Sequence, residues 1–191
     1  MPKNYLFVLL CALPFFAAAQ QGEKSMHLYN ITQFGWLMGD NAHTTSIETV
    51  TGLSYKRYKA GLGVALDNYG YKSLPVFVDL RYNLSKNTKN ILQFYGNGGM
   101  NIPLQSGNLP YKYNNGDVWH ALHPSFYGEA GVNYVLRLGK LLSVNAGLGY
   151  NYKTFKYTEY NYQGDIVLMR TATSYAYHYS KYVLRVGFGL W

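Results

Sequence analysis

The chain has 191 residues, of which 48% are hydrophobic and only 14% are charged, and it contains 21 Tyr and 20 Gly. This length suits one domain, and scarce charge with abundant tyrosine is unusual for a soluble secreted domain but typical of membrane interfaces. The formal net charge is +8, but the basic residues are scattered and no nucleic-acid-binding motif is present, so we expect no nucleic-acid partner.

The first residues have the pattern of a targeting segment. Lys3 supplies a positive start, residues 5–16 are almost wholly apolar, and residues 17–19 are three alanines that suit a cleavage site. We therefore predict a signal peptide over 1–19 and a mature domain over 20–191. Cys11 is the only cysteine and lies inside this segment, so the sequence predicts no disulfide, no cysteine-metal chemistry and no thiol in the mature domain.

Strand patterns follow in chain order. Residues 26–37 predict a first strand whose faces the pattern does not assign, and residues 44–56 predict a second strand with Glu48 on its polar face. Residues 59–83, KAGLGVALDNYGYKSLPVFVDLRYN, alternate strictly on both sides of a polar connection at 67–73. Because side chains on a strand alternate with period two, this stretch predicts a β-hairpin with one continuous apolar face.

Four more strands are predicted over residues 91–102, 126–138, 141–156 and 175–191. The two longest connections, 103–124 and 157–174, are predicted to be irregular, and long irregular loops are uncommon unless they carry function or disorder. In an up-and-down order both long connections fall at one end, and the short turns near 57–58, 85–90 and 139–140 fall at the other. This asymmetry is typical of bacterial outer-membrane barrels.

These patterns predict an all-β fold, an eight-stranded antiparallel up-and-down transmembrane β-barrel. No apolar run after the signal segment is long enough for a membrane-spanning helix, and strands can cross a bilayer only in a closed barrel. An eight-stranded barrel is just wide enough for side chains to fill it, so we expect a plugged lumen without an open pore. The predicted lumen network of inward charges consists of Glu48, Lys59, Asp79, Arg81, Glu129, Arg137, Lys153 and Arg185.

The chain resembles the small eight-stranded outer-membrane β-barrel family of Gram-negative bacteria. The resemblance rests on the signal segment, on glycine-aromatic strands such as SVNAGLGYNYKTF, and on the terminal KYVLRVGFGLW; the tyrosine-rich style is most similar to the Bacteroidetes lineage. It implies a place in the bacterial outer membrane, contact with outer-membrane lipid, and recognition of the terminal aromatic residue, here Trp191, by the barrel-assembly machinery. Trp191 is odd-numbered while the apolar residues of the last strand are even-numbered, which departs from the family pattern.

Candidate chemistry is sparse. His120 and His123 have a spacing that could chelate a metal on a helical turn, but a solvated loop explains them better and we expect no metal or other cofactor. Ser174 or Ser180 beside His178, with Glu159 or Glu129, could supply a nucleophile, a base and an orienting group for a barrel-embedded enzyme acting on outer-membrane lipid. These positions follow no motif, so we expect no enzymatic activity.

The aromatic residues of the two long connections are the candidate ligand site. Tyrosine and tryptophan dominate binding hot spots, and here they could contact a surface glycan or a protein; they could equally form the aromatic girdle of the outer leaflet. We expect a monomer with a structural or interaction role, and a soluble lipocalin-like small-ligand carrier is the remaining alternative. The candidate loop residues are Tyr111, Tyr113, Trp119, Tyr160 and Tyr162.

Overall fold

The computed structural model describes residues 26–39, 43–69, 71–85, 89–104, 111–113, 116–139, 141–162 and 170–190. The predicted signal segment and Trp191 lie outside these residues. No helix in the described ranges has the length and apolar character needed to cross a membrane.

The regular structure of the described residues consists of ten antiparallel strands. The predicted alternation of buried and exposed residues is present in the barrel strands, whereas residues 172–180 of β10 are all exposed, and the short turns between strands are polar or contain glycine. The strands are β1 (Met26–Met38), β2 (Thr44–Tyr55), β3 (Tyr58–Tyr69), β4 (Tyr71–Asn83), β5 (Asn90–Pro103), β6 (Tyr111–Tyr113), β7 (Gly116–His123), β8 (Ser125–Arg137), β9 (Leu142–Tyr162) and β10 (Arg170–Leu190).

Eight of these strands close into a barrel. Strands β1 to β5, β8, β9 and β10 pair in that order, and β10 returns to pair with β1. The sequence-based prediction of a closed eight-stranded antiparallel barrel is therefore confirmed. Strands β6 and β7 lie outside the closed barrel: β7 pairs with residues 156–161 of β9, and β6 pairs with β7.

The register fixes how far the strands are staggered. Starting from Leu28, successive cross-strand partners run through all eight barrel strands and return to β1 at Met38, ten residues further along. A closed barrel needs such a stagger, and it tilts the strands by roughly 35–45° from the barrel axis. The partners on this path are Leu53, Ala60, Leu80, Gly96, Ala130, Tyr150 and Tyr182.

The predicted faces are also confirmed. Apolar side chains such as Leu62, Val78 and Leu148 point outward and are exposed, whereas the intervening polar residues point into the lumen and are buried. The structure also assigns the faces of β1, which the sequence left open. Tyr29, Ile31, Gln33 and Leu37 point inward.

The connections at the end of the barrel opposite the short turns near 57–58, 85–90 and 139–140 differ from the prediction. Residues 67–73 are not an open connection, because Asp67 pairs with Ser73 and the hairpin continues to Tyr69 and Tyr71. The segments 103–124 and 157–174 were predicted to be irregular, which is wrong where they are described. They contain β6, β7 and extensions of β9 and β10; β6 pairs with β7 and the two extensions pair with each other, while β7 also pairs with β9, which is distant in sequence.

A β-bulge separates β7 from β8. His123 pairs with Lys156 and Tyr127 with Lys153, so four steps on one side match three steps on β9. Pro124 lies in this gap and has no N–H to donate, and the Phe126 N–H donates instead to Thr154 Oγ1 at 2.9 Å. Because of the extra residue, the odd-numbered His123 at the end of β7 is exposed on the outward side, whereas the odd-numbered Tyr127 and Glu129 in β8 point inward.

Candidate functional site

The largest cluster of charges in the lumen is centred on Glu129. Arg185 Nε lies 2.6 Å from Glu129 Oε1 and its Nη2 lies 2.5 Å from Oε2, while the same Nη2 lies 3.1 Å from Glu48 Oε2. Tyr95 and Asn151 also donate to Glu129, at 2.8 and 2.9 Å. Because these groups come from β2, β5, β8, β9 and β10, one fully buried network links strands from opposite sides of the barrel.

A second cluster lies on β3 and β4. Arg81 Nε donates to Asp79 Oδ1 at 2.8 Å, and the Tyr29 hydroxyl donates to the same oxygen at 3.2 Å. Lys59 Nζ lies 5.1 Å from the centre of the Tyr29 ring, a distance typical of a cation–π contact. Arg137 is only partly buried, at the end of β8 next to the short turns.

A third cluster joins Lys153 to Asp67, which is not among the predicted residues of the lumen network. Lys153 Nζ lies 2.6 and 2.7 Å from the two carboxylate oxygens of Asp67 and 2.6 Å from Ser73 Oγ. Asp67 had been assigned to a connection. Its spacing from Gly63 and Ala65 placed it on the inward face, so the alternation itself could have identified it.

The glycines on the inward face make room for neighbouring side chains. A Cβ at Gly63 would collide with the Phe77 ring and one at Gly149 with the Tyr95 hydroxyl. At Gly35, in β1, Arg185 Nη1 lies 2.9 Å from where a Cβ would be, and at Gly39 the Cγ of Lys181 lies 3.0 Å from that position. Aromatic and basic side chains therefore both fill the space beside these glycines.

Beyond the closed barrel, β9 and β10 continue as a paired ribbon that β7 and β6 extend. We call this part the projecting sheet: β6, β7, residues 156–162 of β9 and residues 170–180 of β10. The predicted loop residues lie in its strands, where Trp119 is the cross-strand partner of Tyr160, and Tyr162 that of Arg170. Tyr111 and Tyr113 pair with Val118 and Gly116 in the β6–β7 hairpin.

One face of the projecting sheet carries stacked aromatic rings. The Tyr157 ring is nearly parallel to that of Tyr177, with centroids 5.7 Å apart, and it also stacks on Tyr175 at 5.1 Å. The hydrogen bond between the Tyr157 and Tyr177 hydroxyls raises the pKa of Tyr157 above its ordinary value. This tyrosine face consists of Tyr157, Tyr175, Tyr177 and Tyr179, and it continues the lumen side of β9 and β10, where the buried Phe155 packs against Tyr179.

The projecting sheet also has a free edge. Among the described residues, β1 pairs with β10 only from Tyr182 to Leu190, so residues 170–179 have a strand neighbour on the β9 side alone. Residues 171–180 read TATSYAYHYS, without Lys, Arg, Asp or Glu. Natural sheets usually protect such an edge with charge, proline or a covering segment, because unpaired N–H and C=O groups are a template for another strand.

The candidate catalytic groups are not brought together. His178 Nδ1 lies 2.8 Å from the Tyr152 hydroxyl, Ser174 bonds to Thr158, and Glu129 is bound to Arg185 inside the lumen. His123 Nε2 contacts Thr158 Oγ1 at 3.0 Å, and the side chain of His120 lies outside the described residues. No group of three or more potential metal ligands occurs in the described ranges.

Comparisons with known proteins give structural matches but no sequence match. No protein-family model matches the sequence, and no curated protein matches it. The chain is similar to the translocator domain of the autotransporter NalP from Neisseria meningitidis, with 10% identity and a TM-score of 0.23, over 98% of this chain and 95% of that one. This similarity is too low to support an argument, so the assignment as an outer-membrane-type β-barrel rests on the closed register and on the polarity of its two faces.

Proposed function

We propose that this chain is an integral bacterial outer-membrane protein that presents the projecting sheet at the cell surface. The outward apolar wall supports membrane insertion, since a contiguous apolar surface of this extent is rare on soluble proteins. A soluble carrier barrel would have the opposite polarity. The wall includes Phe34, Ile47, Leu53, Leu62, Val78, Leu80, Leu148, Val186 and Phe188.

One polar patch interrupts this wall, and its groups satisfy one another. Asn30 Nδ2 donates to Thr51 Oγ1 at 2.8 Å, and the Thr32 and Thr49 hydroxyls are 3.2 Å apart. Polar groups in the hydrocarbon region are tolerated when they are internally hydrogen bonded. The patch is therefore compatible with lipid contact.

The lumen is proposed to be filled and not to conduct ions. This is supported by the burial of Arg185, Lys153 and Glu48, and by hydrogen bonds that cross the barrel interior. An eight-stranded barrel leaves little space beyond its side chains. Outer-membrane lipid is then the surrounding solvent, and Trp191 is proposed as the signal for the barrel-assembly machinery.

The proposal of a binding partner rests on the free edge of β10. Strand addition supplies main-chain hydrogen bonds, and the neighbouring tyrosine face offers side-chain contacts, so an extended peptide segment of another protein suits this surface best. A surface glycan could use only the rings. We therefore propose an interaction role, without enzymatic activity or a cofactor, for a protein that is monomeric in the membrane.

Surface labelling tests the orientation. In a Cys11→Ser background, Ala176→Cys places a thiol on the projecting sheet, and Gly139→Cys places one in an exposed short turn at the other end. A membrane-impermeant maleimide should label Ala176→Cys on intact cells and Gly139→Cys only after lysis. The opposite pattern, or a protein without heat-shifted electrophoretic mobility, would refute the proposal.

A trimmed variant tests the partner. Lys156 and Ala176 are cross-strand partners, so replacing residues 157–175 by an Asn-Gly turn removes the β9–β10 part of the sheet beyond this pair, including the β9 residues 157–161 that pair with β7, and leaves the barrel register intact. In nanodiscs, the full chain should bind members of an immobilised peptide array, whereas the trimmed chain and a Thr173→Lys, Tyr175→Lys edge variant should not. Binding that persists in the trimmed chain, or selective binding to a glycan array, would contradict the peptide proposal.

A further inference from the structure

An apolar groove of about 560 Å³ lies in the outward wall near the short-turn end. Its volume lies within the roughly 300–1,000 Å³ of typical small-molecule sites. Ala60 and Gly96, which carry little or no side chain, form its floor, and a Cβ at Gly96 would meet nothing within 4 Å. The outward residues that form its sides are Met26, Leu53, Tyr55, Tyr58, Leu80 and Phe94.

Two cations lie at one end of this groove. Lys56 and Arg57 form the turn between Tyr55 and Tyr58, which both line it. Lys56 has a φ of 55°, in the left-handed region that a lysine rarely adopts, and its Nζ lies 5.0 Å from the centre of the Tyr55 ring. The turn thus holds positive charge beside the apolar lining.

We infer that the groove binds one phospholipid with an anionic headgroup, its acyl chain over Ala60 and Gly96 and its phosphate beside Lys56 and Arg57. An apolar groove in a membrane wall takes hydrocarbon, and paired cations at the interface attract an anionic headgroup. This inference rests on the proposed membrane insertion and adds a specific lipid site to it.

A second copy of the chain suits the groove less well. Two copies in one membrane related by an axis along the membrane normal would bring both Lys56–Arg57 turns to the same level at the contact. Like charges facing each other across an interface are unfavourable. Charge complementarity therefore favours a lipid over a dimer.

Two variants test the apolar groove and the cationic turn separately, and a third serves as the control. Gly96→Leu fills the groove and leaves the cations, and Lys56→Gln with Arg57→Gln removes the cations and leaves the groove. Gly98→Leu is the matched control, because Gly98 is also outward and open but is not part of the groove lining. Wild type and variants are purified from nanodiscs of equimolar phosphatidylglycerol and phosphatidylcholine with identical chains, and retained lipid is counted by native mass spectrometry.

Wild type and Gly98→Leu should each retain one phosphatidylglycerol, with at least tenfold preference over phosphatidylcholine. The cation variant should lose that preference, and Gly96→Leu should lose retention of both lipids. Equal retention of the two lipids by wild type, an equal effect of the two leucine variants, or a dimer that Gly96→Leu dissociates would overturn the inference. Protein that shows heat-shifted mobility but retains no lipid overturns only this inference, whereas protein that fails to insert into vesicles overturns the proposed function as well.

Discussion

Arg185 on β10 and Glu129 on β8 face each other inside the barrel, with guanidinium nitrogens 2.6 and 2.5 Å from the two carboxylate oxygens. Neither strand pairs with the other, because β9 lies between them. The ion pair therefore joins next-nearest strands through the lumen. Glu48 on β2 completes the cluster from the other side of β1, so a single guanidinium links three strands.

Removal of this guanidinium should destabilise the barrel strongly. Arg185→Met leaves Glu129 and Glu48 without their shared cation, and breaking a buried ion pair from one side costs about 3–5 kcal/mol. Glu129→Gln should cost less, because Arg185 keeps Glu48 as a partner. The temperature at which heat-modified mobility is lost should fall more for Arg185→Met than for Glu129→Gln. The reverse order would contradict the role of Arg185 as the cation shared by Glu129 and Glu48.

A charge on the outward wall tests the membrane-facing assignment. Val78 is 50% exposed at mid-strand in β4. Val78→Arg should cost about 2–4 kcal/mol in a bilayer, measured by reversible folding into phospholipid vesicles. Ala176→Arg is the control, since this exposed position lies on the projecting sheet outside the wall and should be nearly neutral. A neutral Val78→Arg would refute the face assignment.

The inward glycines should differ sharply from the outward ones. A methyl group at Gly63 would collide with the Phe77 ring, which is itself packed 5.3 Å from Tyr127, whereas a methyl group at Gly98 meets open space. Gly63→Ala should lower the unfolding free energy by about 1–3 kcal/mol through overpacking. Gly98→Ala should leave it unchanged within error. Equal effects of the two substitutions would show that Phe77 does not occupy that space.

Hydrogen exchange should distinguish the two halves of β10. Among the described residues, 171–179 have a strand neighbour only in β9, whereas 182–190 have strand neighbours on both sides. In residues 171–179, the amides that point to the free edge should exchange quickly and alternate with protected ones. In residues 182–190 all amides should exchange slowly. Uniform protection across residues 171–180 would mean that another strand already covers this edge.

The alternation of side chains made most of the fold predictable. Period-two patterning assigned the inward positions of Asp79, Arg81 and Glu129, because one face of a barrel strand belongs to the outward apolar wall and the other lines the lumen. Which lumen side chains contact each other was harder to predict. Nothing local in the sequence shows that Arg185 reaches Glu129 or that Lys153 reaches Asp67, since these contacts depend on the stagger of the closed barrel.

Most of the projecting sheet was missed for a related physical reason, since the prediction assigned only residues 156 and 175–180 of it to strands. Its strands are polar and tyrosine-rich, and this composition is also typical of loops. Their pairing depends on β7 meeting β9, whose partners Val118 and Asn161 are distant in the chain. Only the β-branched and aromatic content of residues 171–179 offered a local indication of a strand.

The pairing of β1 with β10 also determines the order of folding. Asn30 meets Leu190, so the contact that closes the barrel joins nearly the two ends of the described chain. Every other neighbouring pair of barrel strands can form before this one, and contacts so distant in sequence form slowly because the loop-closure entropy must be overcome first. Until β10 arrives, β1 has an unpaired edge, which would be unstable in hydrocarbon. Under the proposed membrane insertion, we therefore expect stable insertion only after synthesis of β10, and truncation within that strand should prevent it.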